Sequence, residues 1–169
     1  MHIRFAAAFA LTAATSLQAQ TARPAPQTAT TPPAPAATPL VDYATATPAS
    51  GSWMWTQVAG GSEATFVNAS AMPQLTIHCT VASRRVTISR PATGAAPFLS
   101  VWTSSATRNL PSSYLPATGR LTADLSAFDP FLDAIVFSRG RLAIGVSGQA
   151  TLVVPAWAEA ARVVEDCRA

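Results

Sequence analysis

Apolar and polar residues alternate along many short segments of this chain, which is the pattern of β-strands with one buried face. The clearest case is residues 75–81, where Leu75, Ile77, Cys79 and Val81 fall on one side. Strands are also predicted at 53–55, 63–67, 85–90, 98–103, 121–125 and 142–146, and a short apolar run predicts one at 152–154. Short Ser- and Gly-containing connections join 75–81 to 85–90 and 142–146 to 152–154, and they predict two hairpins.

Two segments near the C-terminus follow a helical period instead. Apolar residues recur at positions 128, 131, 132, 135 and 136, with Asp129-Pro130 as the start and Gly140 as the stop, so we predict a helix near 129–139. A second helix is predicted near 155–167, beginning at Pro155. Its Trp157, Ala160, Ala161, Val164 and Cys167 share one face, which we expect to lie against the core.

Many short strands without alternating long helices predict a mainly β fold. We expect an antiparallel β-sandwich or open barrel with the two short helices on one part of it; an α+β arrangement is the alternative. Residues 53–169 are enough for a single globular domain with its own core, but not for two.

The first 52 residues have a different composition. A short basic start followed by an apolar stretch and Gln18-Ala19-Gln20 predicts a secretory signal peptide over residues 1–19. Residues 20–52 are rich in Pro, Ala and Thr with few large apolar side chains, so we predict a disordered tail. Leu40 to Tyr43 is its one apolar patch, which could add an edge strand to the domain.

The chain has two cysteines, Cys79 and Cys167, and both are predicted to lie on apolar faces. In an exported protein such a pair is expected to form a disulfide. A reactive Cys79 thiol assisted by His78 is the alternative. It is disfavoured because adjacent residues of a strand point to opposite faces.

Charge does not favour a nucleic-acid partner. The formal net charge is +3 and there is no lysine. Loss of the signal peptide would remove Arg4, leaving the arginines only slightly in excess of the carboxylates. The dense basic spots are Arg84-Arg85 and Arg139 with Arg141, and neither has the interleaved aromatic residues of a nucleic-acid platform.

No catalytic set is recognisable, and we expect no metal and no cofactor. His78 is the one histidine left after export, and there is no G-x-S-x-G motif. One histidine and two cysteines that are joined in a disulfide cannot supply three zinc ligands. A small envelope hydrolase that uses His78 with an unidentified serine remains an alternative to a non-enzymatic protein.

Tryptophan and arginine supply the candidate binding surface. Trp53 and Trp55, at period two, would form a stacking platform for sugar rings or a partner's side chain, and core packing is the ordinary alternative. Arg139 and Arg141 are the accompanying basic candidates, although they equally suit a helix end.

The segments DPFLDAIVFSRGR, starting at Asp129, and PAWAEAARVVEDCR, starting at Pro155, resemble a pattern of small exported alphaproteobacterial proteins that have no assigned function. This resemblance covers the domain from Trp53 onward. It implies a periplasmic location and supplies no catalytic residue. A more distant similarity, through the N-terminal tryptophan and the two cysteines, is to disulfide-linked periplasmic β-sandwich accessory proteins.

The sequence therefore favours a non-enzymatic binding or structural module of the cell envelope, periplasmic or secreted, without a transmembrane span after signal cleavage. Its expected partner is a periplasmic protein or an envelope polymer. Another hypothesis is an inhibitor of a cell-wall hydrolase in which a rigid loop at 108–118 plugs the enzyme. An exposed sheet edge could support a dimer, but the sequence does not decide the oligomeric state.

Overall fold

A computed structural model describes residues 42–43 and 45–169. The predicted signal peptide and most of the predicted tail lie outside these residues. The described part contains ten strands and two α-helices, whose bounds are as follows: β1 Gly51–Val58, β2 Gly61–Asn68, β3 Pro73–Thr80, β4 Arg85–Pro91, β5 Phe98–Trp102, β6 Thr107–Pro111, β7 Ser113–Leu115, β8 Arg120–Ser126, α1 Pro130–Val136, β9 Leu142–Val146, β10 Leu152–Val154 and α2 Ala158–Arg168.

The strands form two antiparallel sheets, as the mainly β prediction required. The larger sheet has six strands in the order β1-β2-β3-β4-β8-β7, and the smaller has four in the order β10-β9-β5-β6. Strands β1 to β4 form a meander of sequential neighbours. The turn between β3 and β4 is a short 3₁₀ segment, Val81–Ser83, that ends with Arg84 in the left-handed region.

One face of the six-stranded sheet is buried and the other is not covered by any described element. The buried side carries the apolar residues of the alternating strands. Helix α2 packs across β1, β2 and β3 on this side, and the four-stranded sheet approaches β8. The core therefore lies between the six-stranded sheet and a second layer made partly of strands and partly of α2.

The first helix confirms its predicted start but is shorter than expected. The Asp129 side chain accepts a hydrogen bond from the Phe131 N–H at 2.9 Å, and Pro130 occupies the first turn. The helix ends at Val136, before Gly140, which has φ +77° in the following turn. Phe128, predicted to be buried, is 62% exposed and instead lies under the Arg84 guanidinium.

The second helix begins later than predicted. It starts at Ala158 with Trp157 as the preceding cap residue, so Pro155 is not its first residue. The reason is a tertiary contact, because the Pro155 carbonyl accepts a 2.9 Å hydrogen bond from the Trp53 indole N–H. Trp157 is exposed and does not share the buried face, which is formed by Ala160, Val163, Val164 and Cys167.

Two strands were not predicted. Strands β6 and β7 occupy most of the segment 108–118, so the rigid loop on which the inhibitor hypothesis relied is largely strand. The domain was predicted to begin at residue 53, which lies within β1. Strand β1 begins at Gly51, and Ala49 donates a 2.7 Å backbone hydrogen bond to Val153. Tyr43, within the predicted tail, donates to the Thr103 carbonyl but forms no strand.

Within the described residues, no helix has the length and apolar character needed to cross a bilayer.

Candidate functional site

The predicted disulfide is present and holds α2 to the six-stranded sheet. Cys79 on β3 and Cys167 on α2 are bonded, with a Cα–Cα distance of 5.5 Å. Both residues are fully buried, as their positions on apolar faces predicted. Neither sulfur is a free thiol, so the alternative of a reactive Cys79 beside His78 does not apply.

The two predicted platform tryptophans lie on the buried side of β1, beneath α2. Trp53 is 5% exposed, packs edge-on against Phe66 and cannot serve as a stacking surface. Trp55 is half-buried, and its indole N–H donates to an Asp166 carboxylate oxygen at 3.2 Å. The Arg162 guanidinium lies 3.5 Å from the Trp55 ring centroid. Core packing and helix attachment therefore account for Trp53, and Trp55 retains only a partly accessible edge.

The two predicted basic residues have different surroundings. The Arg141 guanidinium donates to the Ala46 carbonyl and so attaches the segment before β1 to the domain. Arg139 is exposed, and its backbone N–H donates to the Ser104 hydroxyl at 2.8 Å. These residues do not converge with Trp53 and Trp55 on a shared site in the described structure.

The uncovered face of the six-stranded sheet carries a different constellation. Strand pairing aligns one residue from each of five neighbouring strands: Thr65, Thr76, Ser89, Thr122 and Ser113. We call these five the hydroxyl row, since every member carries a side-chain hydroxyl. At about 4.8 Å between strands, the row extends roughly 19 Å across the sheet.

A second row runs parallel to the first, two residues further along the strands. It pairs Glu63 with His78, His78 with Thr87 and Thr87 with Asp124. The His78 Nδ1 is 3.6 Å from a Glu63 carboxylate oxygen, and the Thr87 hydroxyl donates to Asp124 at 2.5 Å. The two rows together with Arg120 are called the hydroxyl face below.

Arg120 organises the centre of the hydroxyl row. Its Nε donates to the Ser89 hydroxyl at 3.0 Å, and Nη2 donates to the Thr76 hydroxyl at 3.0 Å and to the Ser89 carbonyl at 2.9 Å. This contact leaves Ser89 only 8% exposed on an otherwise open face. Burial lowers the pKa of the Arg120 guanidinium, and the nearby Glu63 carboxylate opposes that shift. The other terminal nitrogen, Nη1, has no hydrogen-bond partner among the described residues.

The hydroxyl face forms a shallow trough with a volume of about 390 Å³. Pro73, Leu115 and Thr118 form part of its border. The trough is open, and its hydroxyl and charged groups are set among apolar carbons of Pro73, Leu115 and the threonine methyl groups, whereas sites for small molecules are mostly enclosed. The shape therefore suits contact with an extended, hydrated surface.

The surroundings of His78 do not assemble a hydrolytic triad. A triad needs a hydroxyl that donates to the base and a carboxylate that orients the base. Glu63 lies beside His78, but no hydroxyl donates to His78 in the described part of the chain. Across residues 42–43 and 45–169, no group of three or more His, Cys, Asp or Glu side chains is placed to hold a metal ion.

No protein-family model, no curated protein and no solved structure matches this chain.

The residues of the hydroxyl face, His78 apart, were not singled out from the sequence as candidates. Thr65, Thr76, Ser89 and Thr122 are widely separated along the chain, and only strand register brings them into one row. A signal was present in the polar positions of the alternating strands. On β3 and β4 these positions hold Thr76, His78, Thr87 and Ser89, and on β8 they hold Thr122.

Proposed function

We propose that this protein is a non-enzymatic binding module of the bacterial cell envelope, periplasmic or secreted, whose hydroxyl face contacts an envelope polymer. The observation that carries the proposal is the hydroxyl row, which places five hydroxyl residues in register across an uncovered sheet face with Arg120 above them. The buried disulfide supports an oxidising compartment.

The chemistry of the face favours a polyhydroxylated glycan. Threonine and serine hydroxyls both donate and accept hydrogen bonds, which matches ligands that carry many hydroxyl and amide groups. The hydroxyl face holds both charge signs, with the Glu63 carboxylate near the Arg120 guanidinium, so it does not select strongly for a highly charged partner. Its roughly 19 Å length suits several units of a polymer.

Arg120 would fix the polymer's position. The two N–H groups of the Arg120 Nη1 atom are available to donate to a glycan carboxylate or carbonyl, and the geometry of the donor is already set by the bonds to Ser89 and Thr76. Because these bonds exist before the ligand arrives, less side-chain entropy is lost on binding.

A co-sedimentation assay with insoluble peptidoglycan tests the proposal. We expect the wild-type protein to sediment with the polymer, and the double variant Thr65→Val/Thr76→Val to bind at least about tenfold more weakly, since two hydroxyls are lost at nearly constant shape. The matched control is Thr107→Val on β6, an exposed threonine of the other sheet, which should bind like wild type.

A second pair of variants separates the role of Arg120 from that of net charge. Arg120→Ala and Arg139→Ala each remove one positive charge, but only Arg120 lies on the hydroxyl face. Binding should fall for Arg120→Ala alone. Equal losses in both variants, or full binding by the double threonine variant, would contradict the proposal.

A further inference from the structure

Strand β1 is an unusually unprotected sheet edge. Its eight residues, Gly51–Val58, contain no charged residue and no proline. They pair with β2 in continuous register, without a bulge. Exposed edges normally carry charges, prolines, bulges or a cover that prevents pairing with another strand.

The other three edges of the two sheets show such protection. Strand β7 has only three residues, and β10 has three with Ala49 bonded to Val153 beside it. Strand β6 carries Arg108, which is paired with Asp129, and ends at Pro111. Within residues 42–43 and 45–169, β1 is therefore the sheet edge that carries none of these protections.

The backbone groups that β1 offers can be assigned from the neighbouring ladder. In an antiparallel ladder, alternate residues of a strand direct their N–H and C=O groups to opposite sides. The Gly60 carbonyl accepts a hydrogen bond from the Val81 N–H, so the backbone groups of Gly60 point toward the β3 side. By alternation, the even-numbered residues of β2 direct their backbone groups to β3, and the odd-numbered residues direct theirs to β1. By the register of β1 with β2, Trp53, Trp55 and Gln57 direct their backbone groups to the free edge.

We propose that the β1 edge pairs with the β1 edge of a second copy, as an antiparallel two-fold junction. With a two-fold axis perpendicular to the sheet, the buried faces of both copies lie on one side of the joined sheet and the open faces lie on the other. Even-numbered residues of one β1 must therefore lie opposite even-numbered residues of the other, and odd opposite odd. Of the registers that keep this parity, the two that pair most of the eight residues place Met54 opposite either Met54 or Thr56 of the second copy. Neither register opposes like charges, because the strand has none.

The groove beside the edge does not itself favour a second copy. Helix α2 and Trp55 border this open groove of about 670 Å³ next to β1. It holds one positive side chain, Arg162, and three negative ones, Glu159, Glu165 and Asp166. Because two-fold symmetry brings two net negative grooves to the same side of the junction, the attraction between the copies must come from β1 itself.

The consequence is a continuous sheet of two copies in which the hydroxyl faces adjoin across the junction. Thr65 pairs with Met54 on β1, so in the Met54–Met54 register the hydroxyl row of one copy leads through Met54 to the hydroxyl row of the other. In the Met54–Thr56 register it leads instead through Thr56 to Glu63 in the second row of the other copy. This assembly goes beyond the proposed function and does not depend on it, since the junction forms without a ligand. If the hydroxyl face binds a polymer, pairing would present two such faces at once.

Sedimentation-velocity ultracentrifugation of the full chain, purified without reductant, tests the inference over about 1 to 200 µM protein. We expect a concentration-dependent monomer–dimer equilibrium. Gln57→Pro removes an outward N–H group from the edge and should raise the dimer dissociation constant about tenfold or more. Gln57→Ala is the matched control, because it removes the same side chain but keeps that N–H group.

A second pair of variants tests the same junction without introducing a proline. Met54 and Met72 are similarly exposed, at 57% and 59%, but only Met54 lies on β1. Met54→Lys should weaken dimerisation by placing like charges at the junction, and Met72→Lys should not. Circular dichroism confirms that each variant is folded.

Three results would overturn the inference. One is a wild-type chain that stays monomeric over the whole range, as it would if its own N-terminal residues covered β1. Another is a dimer that persists in Gln57→Pro. The last is equal weakening by Met54→Lys and Met72→Lys.

Discussion

Removal of the Cys79–Cys167 disulfide should lower the free energy of unfolding, because the unfolded chain without the crosslink has more conformational entropy. The bond joins residues 88 positions apart. The loop-entropy relation states that closing a loop of this size lowers the conformational entropy of the unfolded chain, which raises the free energy of unfolding by about 4 to 5 kcal/mol at 25 °C. The total stability of a domain of this kind is about 5 to 15 kcal/mol, so the variant Cys79→Ala/Cys167→Ala should lose a large fraction of it.

The native structure should nevertheless keep α2 in place. Val163 and Val164 are buried against the sheet, and burial of each side chain contributes about 1.5 to 3 kcal/mol. The Trp53 indole also retains its hydrogen bond to Pro155, just before the helix. Near-ultraviolet circular dichroism of the variant should therefore resemble that of the wild type in the absence of denaturant.

Urea unfolding followed by tryptophan fluorescence measures the effect. We expect the free energy of unfolding to fall by about 4 kcal/mol, and the dependence on urea to steepen because the uncrosslinked unfolded chain exposes more surface. A loss below about 2 kcal/mol with an unchanged native spectrum would refute the loop-entropy reasoning. Loss of the near-ultraviolet signal before urea is added would show instead that the bond is needed to dock α2.

Three further substitutions test packing and capping, each by urea unfolding. The buried Ser62 hydroxyl has no hydrogen-bond partner among the described groups, so Ser62→Ala should raise stability by about 1 kcal/mol, and a loss of stability would contradict this. Asp129→Ala removes the α1 cap and the 2.9 Å ion pair with Arg108, and should cost about 1 to 2 kcal/mol; an unchanged midpoint would show that neither contact stabilises the domain. Gly145→Ala should cost about 1 to 3 kcal/mol because the added Cβ would lie 2.7 Å from the Trp102 ring, whereas Gly94→Ala, which meets nothing within 4 Å, should be nearly neutral.

Strand positions were predictable where one face alone is buried. In β3 and β8 every second residue is apolar and lies in the core, so the period is visible in the sequence. Strand β6 was missed because only Leu110 of its five residues is buried, which leaves no alternation to detect. Strand β9 is buried at all five positions, yet its large apolar residues Leu142, Ile144 and Val146 alternate with the smaller Ala143 and Gly145, and this alternation was sufficient to predict it.

Contacts between distant segments were harder to predict. The disulfide followed from the positions of two cysteines on two apolar faces, so its prediction is confirmed. The predicted start of α2 was wrong because the Pro155 carbonyl accepts a hydrogen bond from the Trp53 indole, and local helix propensity gives no information about such a contact. The hydroxyl row depends on the register of five strands, and register over such separations is set by the assembled sheet.

The central claim is that the hydroxyl face is the surface that binds an envelope polymer. The most direct test is nuclear magnetic resonance of protein labelled at threonine methyl groups, titrated with soluble peptidoglycan fragments. The account predicts saturable shifts at Thr65, Thr76 and Thr122, with Thr107 unchanged. Shifts confined to other parts of the molecule, or no shifts at fragment concentrations that compete with the insoluble polymer, would contradict it.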